Sequence, residues 1–331
     1  MRSKHTLPTL LWDIFCLGSI VGIWPRFIET KLICTTALQL ALSSLPNGLE
    51  GLKILQLSDL HFSKNMSDRF LKRIIRKTQK LSPDIIVLTG DLLCYGKLAD
   101  PDRLKKFLNQ FQAPYGCYAV LGNHDYAECI SINSAGDYDT VKAPASLLAR
   151  AFGRLFAKGL VTGVTTQRAQ QTSTHSDLIS LLAQTPFKLL HNTTEILAIK
   201  NTKLNICGLG EYSAGRCHPR EAFQNYDKNY PGIVLLHNPD GAVHLRDYPG
   251  EIILSGHTHG GQVNLPWLWK KFTLMEDTRL KSGLINLVTA AQKVKGPAHK
   301  SIYVNRGIGS ILPFRWFSPP EILLLTLRGK P

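Results

Sequence analysis

The amino-acid sequence predicts an α/β protein, because strand-like and helix-like segments alternate along its 331 residues. Six runs rich in hydrophobic residues, with uninterrupted stretches of up to five, end in polar clusters, and they occupy residues 52–62, 83–93, 117–126, 204–212, 232–240 and 251–261. Continuous runs of this length suit strands that are buried on both faces. Helical patterns lie between several of them, and this alternation is typical of an α/β sheet.

Two helices are predicted between the first strands. The segment "SDRFLKRIIRKTQKL" carries Phe70, Leu71, Ile74, Ile75 and Leu81 at helical spacing, and "PDRLKKFLNQF" follows the second strand. Ligands of such sheets collect at the carboxyl ends of the strands, which is where each polar cluster lies. A binding site is therefore expected at that edge of the sheet.

The N-terminal segment, residues 1–30, is predicted to associate with a membrane. After "MRSKH" it is apolar apart from Asp13 until Arg26. The uninterrupted apolar stretch, 14–25, has 12 residues. That is fewer than the roughly 20 that span a bilayer, so a span requires that Asp13 be tolerated. An uncleaved anchor or an interfacial helix is favoured, and a core helix and a cleaved signal peptide are the alternatives.

A basic insertion at about 130–176 interrupts the alternation. No acidic residue lies between Asp139 and Asp177. Within the insertion, residues 143–160 form an amphipathic helical pattern whose apolar stripe is Leu147, Leu148, Ala151, Phe152, Leu155, Phe156 and Leu160. Arg150, Arg154 and Lys158, four residues apart, take the opposite face. Such a helix is typical of a membrane-surface element or a cap over an apolar ligand, and the alternative is an ordinary surface helix packed on the core.

The segment "LPWLWKKF" at 265–272 also departs from the alternation. It sets Trp267, Trp269 and Phe272 beside Lys270 and Lys271. Tryptophan next to lysine suits a membrane interface, but it also suits a hydrophobic satellite of the core.

Composition limits the class of protein and of partner. With 44% hydrophobic and 19% charged residues the chain is globular, and its formal net charge of +15 favours anionic partners such as acidic lipid headgroups, phosphorylated substrates or nucleic acid. The aromatic residues lie beside apolar runs, not in stacking platforms, so no nucleic-acid partner is expected. Seven scattered cysteines without a C-x-x-C pair argue against a disulfide scaffold and favour a reducing compartment.

The polar clusters at the strand ends contain residues that bind metals. They supply Asp59, His61, Asp91, Asn123, His124, Asp125, His237, His257 and His259. Residues two apart on a strand point to the same side, so His257 and His259 are expected to converge on one site. Singly, such an Asp is more often a helix cap and such an H-x-H pair more often a turn. Five clusters at one topological position favour a metal site, and Asp, Asn and His without thiolate suit Mn, Fe, Zn or Mg.

These clusters, read in order, resemble a known family. "SDLH", "GDLL", "GNHD", "LLHNPD" and "SGHTHGGQ" are similar to the five blocks of the calcineurin-like metallophosphoesterases, and the similarity runs from about residue 50 to about residue 325. The ending "YVNRGIGSILPFRWFSPPEILLLTL" resembles the membrane-associated bacterial branch of the YaeI and YkuE type. The resemblance implies a four-layer α/β/β/α sandwich with a dimetal site. Residues 31–331 would form this metallophosphoesterase domain.

The resemblance also implies a role for each polar residue. One ion, most simply Mn, would be bound by Asp59, His61, Asp91 and His259, and a second by Asp91, Asn123, His237 and His257. Asp91 would bridge the two, since a carboxylate has two oxygens. His124 would donate a proton or hydrogen bond to the leaving oxygen, and Asp125 would orient His124. Gly122 and Gly256 are expected in tight turns.

Within that branch the hydrophobic start, the basic insertion and the charge are most similar to hydrolases of UDP-2,3-diacylglucosamine. The implied substrate is a lipid-linked nucleotide, cleaved to UMP and an acylated sugar phosphate at the cytoplasmic face of the bacterial inner membrane. Expected contacts with the substrate or the membrane are Leu148, Arg150, Phe152, Arg154, Phe156, Lys158, Trp267 and Trp269. The alternatives are a phosphodiesterase or phosphatase of another substrate, and a non-catalytic basic binder of membranes or nucleic acid.

Overall fold

The computed structural model describes residues 7–156, 159, 161–287 and 301–330, which contain fourteen strands and eight α-helices. The strands are β1 (Cys34–Leu42), β2 (Lys53–Leu57), β3 (Ile85–Thr89), β4 (Cys117–Val120), β5 (Cys129–Ile132), β6 (Tyr138–Val141), β7 (Phe187–Leu189), β8 (Thr193–Ile199), β9 (Thr202–Gly208), β10 (Gly232–Leu235), β11 (Ile252–Ser255), β12 (Gly283–Asn286), β13 (Ser301–Val304) and β14 (Glu321–Gly329). The helices are α1 (Leu7–Gly18), α2 (Asp68–Leu81), α3 (Pro101–Leu108), α4 (Leu147–Phe156), α5 (Gln167–Gln171), α6 (Ser176–Leu182), α7 (Pro219–Ala222) and α8 (Trp269–Phe272).

Two six-stranded sheets stack face to face. The first has the order β1-β14-β2-β3-β4-β7 and the second β12-β13-β11-β10-β9-β8, while β5 and β6 form a separate hairpin. The central strands of each sheet are parallel. Leu57 pairs with Leu88, and Thr89 with Val120, so these strands end nearly level at one edge.

Three apolar clusters separate four layers. One lies between the sheets and includes Ile54, Ile85 and Val87, and a second, with Leu55 and Ile86, lies under α2, α3 and α6. The third covers the outer face of the second sheet. Neighbouring residues of β2 and β3 therefore enter different clusters, which explains why these strands read as continuous apolar runs. The predicted four-layer sandwich is confirmed.

The predicted first helix is confirmed as α2. Ser67 caps its N-terminus by accepting a hydrogen bond from the Phe70 N–H, as a serine at this position commonly does. Its buried face consists of Phe70, Leu71, Ile74, Ile75 and Thr78, and its lysines and arginines face outward. The apolar stripe of α2 thus packs on the core in the ordinary way.

The N-terminal segment forms one continuous helical run, Leu7–Lys31, that is long and apolar enough to cross a membrane. It passes from α1 into a π-helix, Ser19–Ile28, which contains Pro25, and ends in a 3₁₀ turn. The C-terminal part of this helical run, its base, is hydrogen-bonded to residues 315–318. The Arg315 backbone N–H donates to the Pro25 carbonyl at 2.9 Å, and the Ser318 backbone N–H donates to Glu29 Oε1 at 2.6 Å.

Candidate metal centre

Two clusters of potential ligands lie side by side at the level edge of the sheets. Asp59, His61 and His259 form the first and Asp91, His237 and His257 form the second. Within each cluster the potential ligand atoms lie within 4.8 Å of one another. Asn123 joins the second, with Oδ1 at 2.9 Å from Nδ1 of His257 and 3.1 Å from Nε2 of His237. All seven residues that the sequence proposed as ligands are therefore together.

Hydrogen bonds fix the tautomers of two of these histidines. Nδ1 of His61 lies 3.1 Å from the Leu93 carbonyl, and Nδ1 of His237 lies 2.8 Å from the Thr89 carbonyl. A carbonyl only accepts, so each Nδ1 carries a proton and Nε2 is the ring nitrogen left to bind a cation. Metal-binding histidines commonly donate a hydrogen bond from their other ring nitrogen to a backbone carbonyl in this way.

Asp91 lies between the two clusters. Its Oδ2 is 3.5 Å from Nε2 of His61 and 3.4 Å from Nε2 of His237. Its Oδ1 accepts a hydrogen bond from the His124 backbone N–H at 2.9 Å. The carboxylate is thus held with one oxygen toward both histidines, a position suited to a bridging ligand.

His259 is supported from outside the centre by a fully buried arginine. Its Nδ1 accepts a hydrogen bond from Nη2 of Arg315 at 3.0 Å, which leaves the proton of the neutral ring on Nε2, 3.0 Å from Nε2 of His61. Arg315 also donates to four backbone carbonyls, those of Arg306, Gly307, Gly309 and Ser318. The Ser318 hydroxyl donates to the His259 carbonyl at 2.6 Å. The loop that meets the N-terminal helix therefore also holds a potential ligand.

His257 and His259 do not lie on a strand, so the expected reason for their convergence is wrong. β11 ends at Ser255, and both histidines have positive φ, +70° and +51°. Asp59, His61 and Asp91 also have φ between +44° and +55°. Non-glycine residues in this region cost of order 1–3 kcal/mol each and occur mainly at functional sites. The sharp turns after the strands, not the period of two, aim these side chains.

Gly122 and Gly256 begin tight turns, as expected, because the Gly122 carbonyl accepts from the Asp125 N–H at 3.0 Å and the Gly256 carbonyl accepts from the Thr258 N–H at 2.8 Å. Close approach of other residues is a second reason for glycine at both positions. A Cβ on Gly122 would lie 2.3 Å from Oδ1 of Asp91, and one on Gly256 would lie 2.3 Å from Oδ2 of Asp59. Neither glycine has a positive φ. Both positions require glycine because a carboxylate passes directly over the backbone.

Burial decides the charge of the centre in the absence of a cation. It raises the pKa of the Asp91 carboxyl to about 7 and that of Asp59 above its ordinary value. It lowers the pKa of His61 to about 3 and those of His257 and His259 well below their ordinary value. For His237 burial acts the same way, but the neighbouring Asp91 outweighs it and raises the pKa. Protons and a cation would thus compete for these atoms.

The donor set fits two divalent ions. Nε2 of His237 faces Nδ1 of His257 at 3.3 Å, and Nε2 of His61 and Nε2 of His237 both lie near Oδ2 of Asp91. Such a convergence of potential donor atoms is favourable when a cation lies among them. Cys94 lies near His61 and His124, but burial raises the pKa of its thiol to about 11, so the neutral thiol adds little to the site.

His124 is oriented by Tyr95 and not by Asp125, so that expectation is wrong. The Tyr95 backbone N–H donates to Nδ1 of His124 at 2.9 Å, which leaves the proton of His124 on Nε2. Asp125 accepts instead from the backbone N–H groups of Leu93 and Gly122, at 2.8 and 2.9 Å. These two bonds hold the loops after β3 and β4 together. Asp125 therefore supports the site through the backbone.

A pocket extends from the metal centre to the basic insertion. It is lined by Asp91, Asn123, His124, His257 and His259 on one side, and by Tyr95, Arg150, Arg154 and Phe272 on the other. Nη1 of Arg150 donates to the Tyr95 hydroxyl, and Nη1 of Arg154 donates to the Phe272 carbonyl at 2.6 Å. The basic face of α4 thus points into the pocket.

Part of the apolar stripe of α4 faces outward. Leu148, Phe152 and Phe156 are 49%, 65% and 74% exposed, whereas Leu147 and Leu155 are half-buried and Ala151 is buried. The alternative of a stripe packed on the core is wrong for the three exposed side chains. Trp267 is 87% exposed, whereas Trp269 is partly buried against the third apolar cluster, and membrane contact of either tryptophan stays a prediction. Lys158 and Leu160 lie outside the described residues.

Sequence reasoning missed two residues that shape this site, Tyr95 and Arg315. Tyr95 carries no recognisable signal, since it follows a strand in an ordinary loop. Arg315 lies in the apolar ending that resembles the YaeI and YkuE branch. A charged residue in such a segment predicts a buried cation that needs several acceptors.

A family model described as "Calcineurin-like phosphoesterase" matches residues 52–261. This range contains all seven potential ligand residues. The UDP-2,3-diacylglucosamine pyrophosphatase LpxG of Chlamydia trachomatis serovar D is 40% identical over 332 residues, which cover 97% of each chain. The metallophosphoesterase YkuE of Bacillus subtilis is 28% identical over 92% of this chain and 89% of its own. The phosphodiesterase YaeI of Escherichia coli is 28% identical over 83% and 82%.

Proposed function

Because the chain belongs to the calcineurin-like phosphoesterase family, we propose that it cleaves the pyrophosphate of UDP-2,3-diacylglucosamine in lipid A biosynthesis. The products are 2,3-diacylglucosamine 1-phosphate, which is lipid X, and UMP. One observation carries this proposal: the 40% identity with the LpxG pyrophosphatase extends over 97% of both chains. It therefore reaches the N-terminal helix, the insertion and the ending, beyond the residues 52–261 matched by the family model.

The proposed cofactors are two manganese ions, with Fe, Zn or Mg as alternatives. Asp59, His61, Asp91 and His259 would hold one ion, and Asp91, Asn123, His237 and His257 the other. The position of Asp91 Oδ2 between His61 and His237 supports its role as the shared ligand. Asn123 is suited to bind through oxygen, because its Nδ2 already donates to the Ile130 carbonyl at 2.6 Å.

The chemistry divides between the ions and the side chains around them. When bound, such ions hold phosphate oxygens and lower the pKa of water so that hydroxide is available near neutral pH. His124 donates a hydrogen bond from Nε2 to the leaving oxygen. Burial lowers its pKa well below the ordinary value, so it acts as a neutral donor. The Tyr95 N–H keeps this tautomer in place.

The N-terminal helix and the outward face of α4 would place the site at the membrane. The base of the helix bonds to residues 315–318, and the same loop reaches His259 through Arg315. Leu148, Phe152, Phe156 and Trp267 are exposed apolar residues that would contact acyl chains or the bilayer. We place the anchor in residues 1–30 and the enzymatic domain at the cytoplasmic face of the bacterial inner membrane.

Turnover of the purified, detergent-solubilised chain tests the proposal. UDP-2,3-diacylglucosamine is compared with bis(p-nitrophenyl) phosphate, each with Mn and with EDTA, and the nucleotide product is identified by mass spectrometry. The proposal expects Mn-dependent release of UMP, with the lipid nucleotide preferred, and no UMP from an Asp91→Ala control. Release of UDP, or hydrolysis of the diester alone, would overturn it and favour a phosphodiesterase of another substrate.

A further inference from the structure

Two arginines of α4 point at the metal centre across a shared pocket. Arg150 and Arg154 are one helical turn apart and line the same cavity as Asp91, Asn123 and His257. The Arg150 guanidinium carbon lies 5.4 Å from the centre of the Tyr95 ring, and Arg154 is anchored by its bond to the Phe272 carbonyl. The two cations are thus positioned by neutral groups.

Neither Arg150 nor Arg154 has an acidic partner among the residues that the structure describes. The arginines that form ion pairs there are Arg103, Arg168, Arg279, Arg306 and Arg328. The Tyr95 phenol does not supply a charge, because burial raises its pKa to about 12. Burial and the neighbouring Arg150 lower the pKa of Arg154 to about 10, so Arg154 is still protonated at neutral pH.

Like charges one turn apart repel, and partly buried cations without a counter-charge are unfavourable. An anion between them would remove both costs. The guanidinium fork binds phosphate oxygens in pairs, which makes phosphate a well-matched anion. Because the pocket also borders the metal centre, a ligand that reaches both sides needs two anionic groups close together.

We propose that Arg150 and Arg154 bind the phosphate of a pyrophosphate that is not attacked, while the attacked phosphate lies at the metal centre. The two arginines then make the site selective for pyrophosphate diesters over single phosphodiesters. The identity of the pyrophosphate as UDP-2,3-diacylglucosamine rests on the proposed function, whereas the arginine clamp for a second phosphate does not.

Two ligand pairs test the clamp. The first is the ratio of kcat/KM for UDP-2,3-diacylglucosamine to that for bis(p-nitrophenyl) phosphate. The second is the inhibition constant of methylphosphonate divided by that of methylenediphosphonate. Both constants are measured against hydrolysis of the diester, with Mn in excess of the inhibitor. The variants are Arg150→Gln, Arg154→Gln and their combination, with Arg150→Lys and Arg154→Lys as charge-preserving forms. Lys142→Gln, an exposed position of the same insertion, is the matched control.

Each single glutamine variant should lower both ratios on the order of tenfold, and the combination on the order of 100-fold, as expected for charge-assisted hydrogen bonds. The lysine variants should fall between, and Lys142→Gln should match the original chain. Equal losses for one-phosphate and two-phosphate ligands would overturn the clamp. If the lipid nucleotide is not hydrolysed at all, the proposed function fails, but the inhibitor ratio still decides the clamp. Circular dichroism and thermal unfolding of each variant separate local effects from loss of the fold.

Discussion

The metal centre and helix α4 face each other across one pocket, but they are built in opposite ways. The candidate ligands Asp59, His61 and Asp91 are at most 2% exposed, and hydrogen bonds to neighbouring residues fix their positions. α4 exposes its apolar side chains and meets the pocket through Arg150 and Arg154. Under the proposed function, the chemistry would depend on the buried edge of the sheets, whereas the choice of substrate would depend on the more exposed helix α4.

The largest effect is expected at Asp91. Asp91→Ala removes the one candidate ligand shared by both clusters, so both metals and essentially all turnover should be lost, for lipid nucleotide and diester alike. His259→Ala should mainly weaken one metal. Metal analysis by mass spectrometry, together with both assays, checks this. A fully loaded and active Asp91→Ala protein would remove the basis for placing the chemistry at this edge.

His124 comes next. His124→Gln should keep both metals but slow hydrolysis by roughly 10²- to 10⁴-fold, the range typical of losing a proton or hydrogen-bond donor. The defect should be smaller for p-nitrophenyl esters, whose leaving oxygen needs little stabilisation. Rates for good and poor leaving groups, with metal content as the control, test this role. An equal loss for both would show that His124 only positions the phosphate.

A substitution of Arg315 tests whether the metal centre depends on support from residues outside it. Arg315→Lys cannot reproduce the fork that donates to four backbone carbonyls, so the loop whose Ser318 hydroxyl holds the His259 backbone should be less well fixed. Outer partners of metal ligands typically contribute 10- to 100-fold in metal affinity, so Mn affinity should fall by about that factor. Titration with Mn and thermal unfolding measure it, with the exposed Arg279→Lys as control. Unchanged affinity would show that His259 needs no such support.

The apolar face of α4 should matter for the lipid substrate alone. Replacing Leu148, Phe152 and Phe156 with serine should lower activity on UDP-2,3-diacylglucosamine by on the order of tenfold or more, since each side chain could contribute roughly 1.5–3 kcal/mol if buried by lipid. Diester hydrolysis and Tm should change little, because these side chains are exposed. Serine at Ile196, Val243 and Leu284, three other exposed apolar positions, is the control. A fall in both activities together with Tm would mean that the stripe packs within the protein.

The smallest effect is a pH dependence that separates the two sides of the pocket. Asp91 must lose its proton to bind metal, and burial raises its pKa to about 7. Mn affinity should therefore fall below pH 7, by up to about tenfold per pH unit for one competing proton. The pKa of Arg154, about 10, lies well above this range, so the selectivity ratio for two phosphates should not change. Mn titrations in buffered free metal at pH 6, 7 and 8 measure the first effect. Affinity that is constant over this range would show that protons do not compete for the site.

The sequence alone identified six of the twelve strands in the two large sheets and the residues gathered at their edge. Apolar runs such as 52–57 and 83–88 became β2 and β3, and the polar residues after them met because parallel strands end at one edge of a sheet. All seven candidate ligands lie there. This part was predictable because local hydrophobic pattern and strand direction are enough to decide it.

The tertiary structure decided what each helix face packs against and which group each histidine ring nitrogen bonds to. α2 and α4 both carry an apolar stripe and a basic face, yet α2 buries its stripe whereas α4 turns its arginines inward. Helical periodicity tells which side chains share a face, but not what covers that face. Likewise His124 is oriented by Tyr95, and His259 by Arg315, 56 positions away. Such partners depend on where distant loops meet, and no local pattern in the sequence records that.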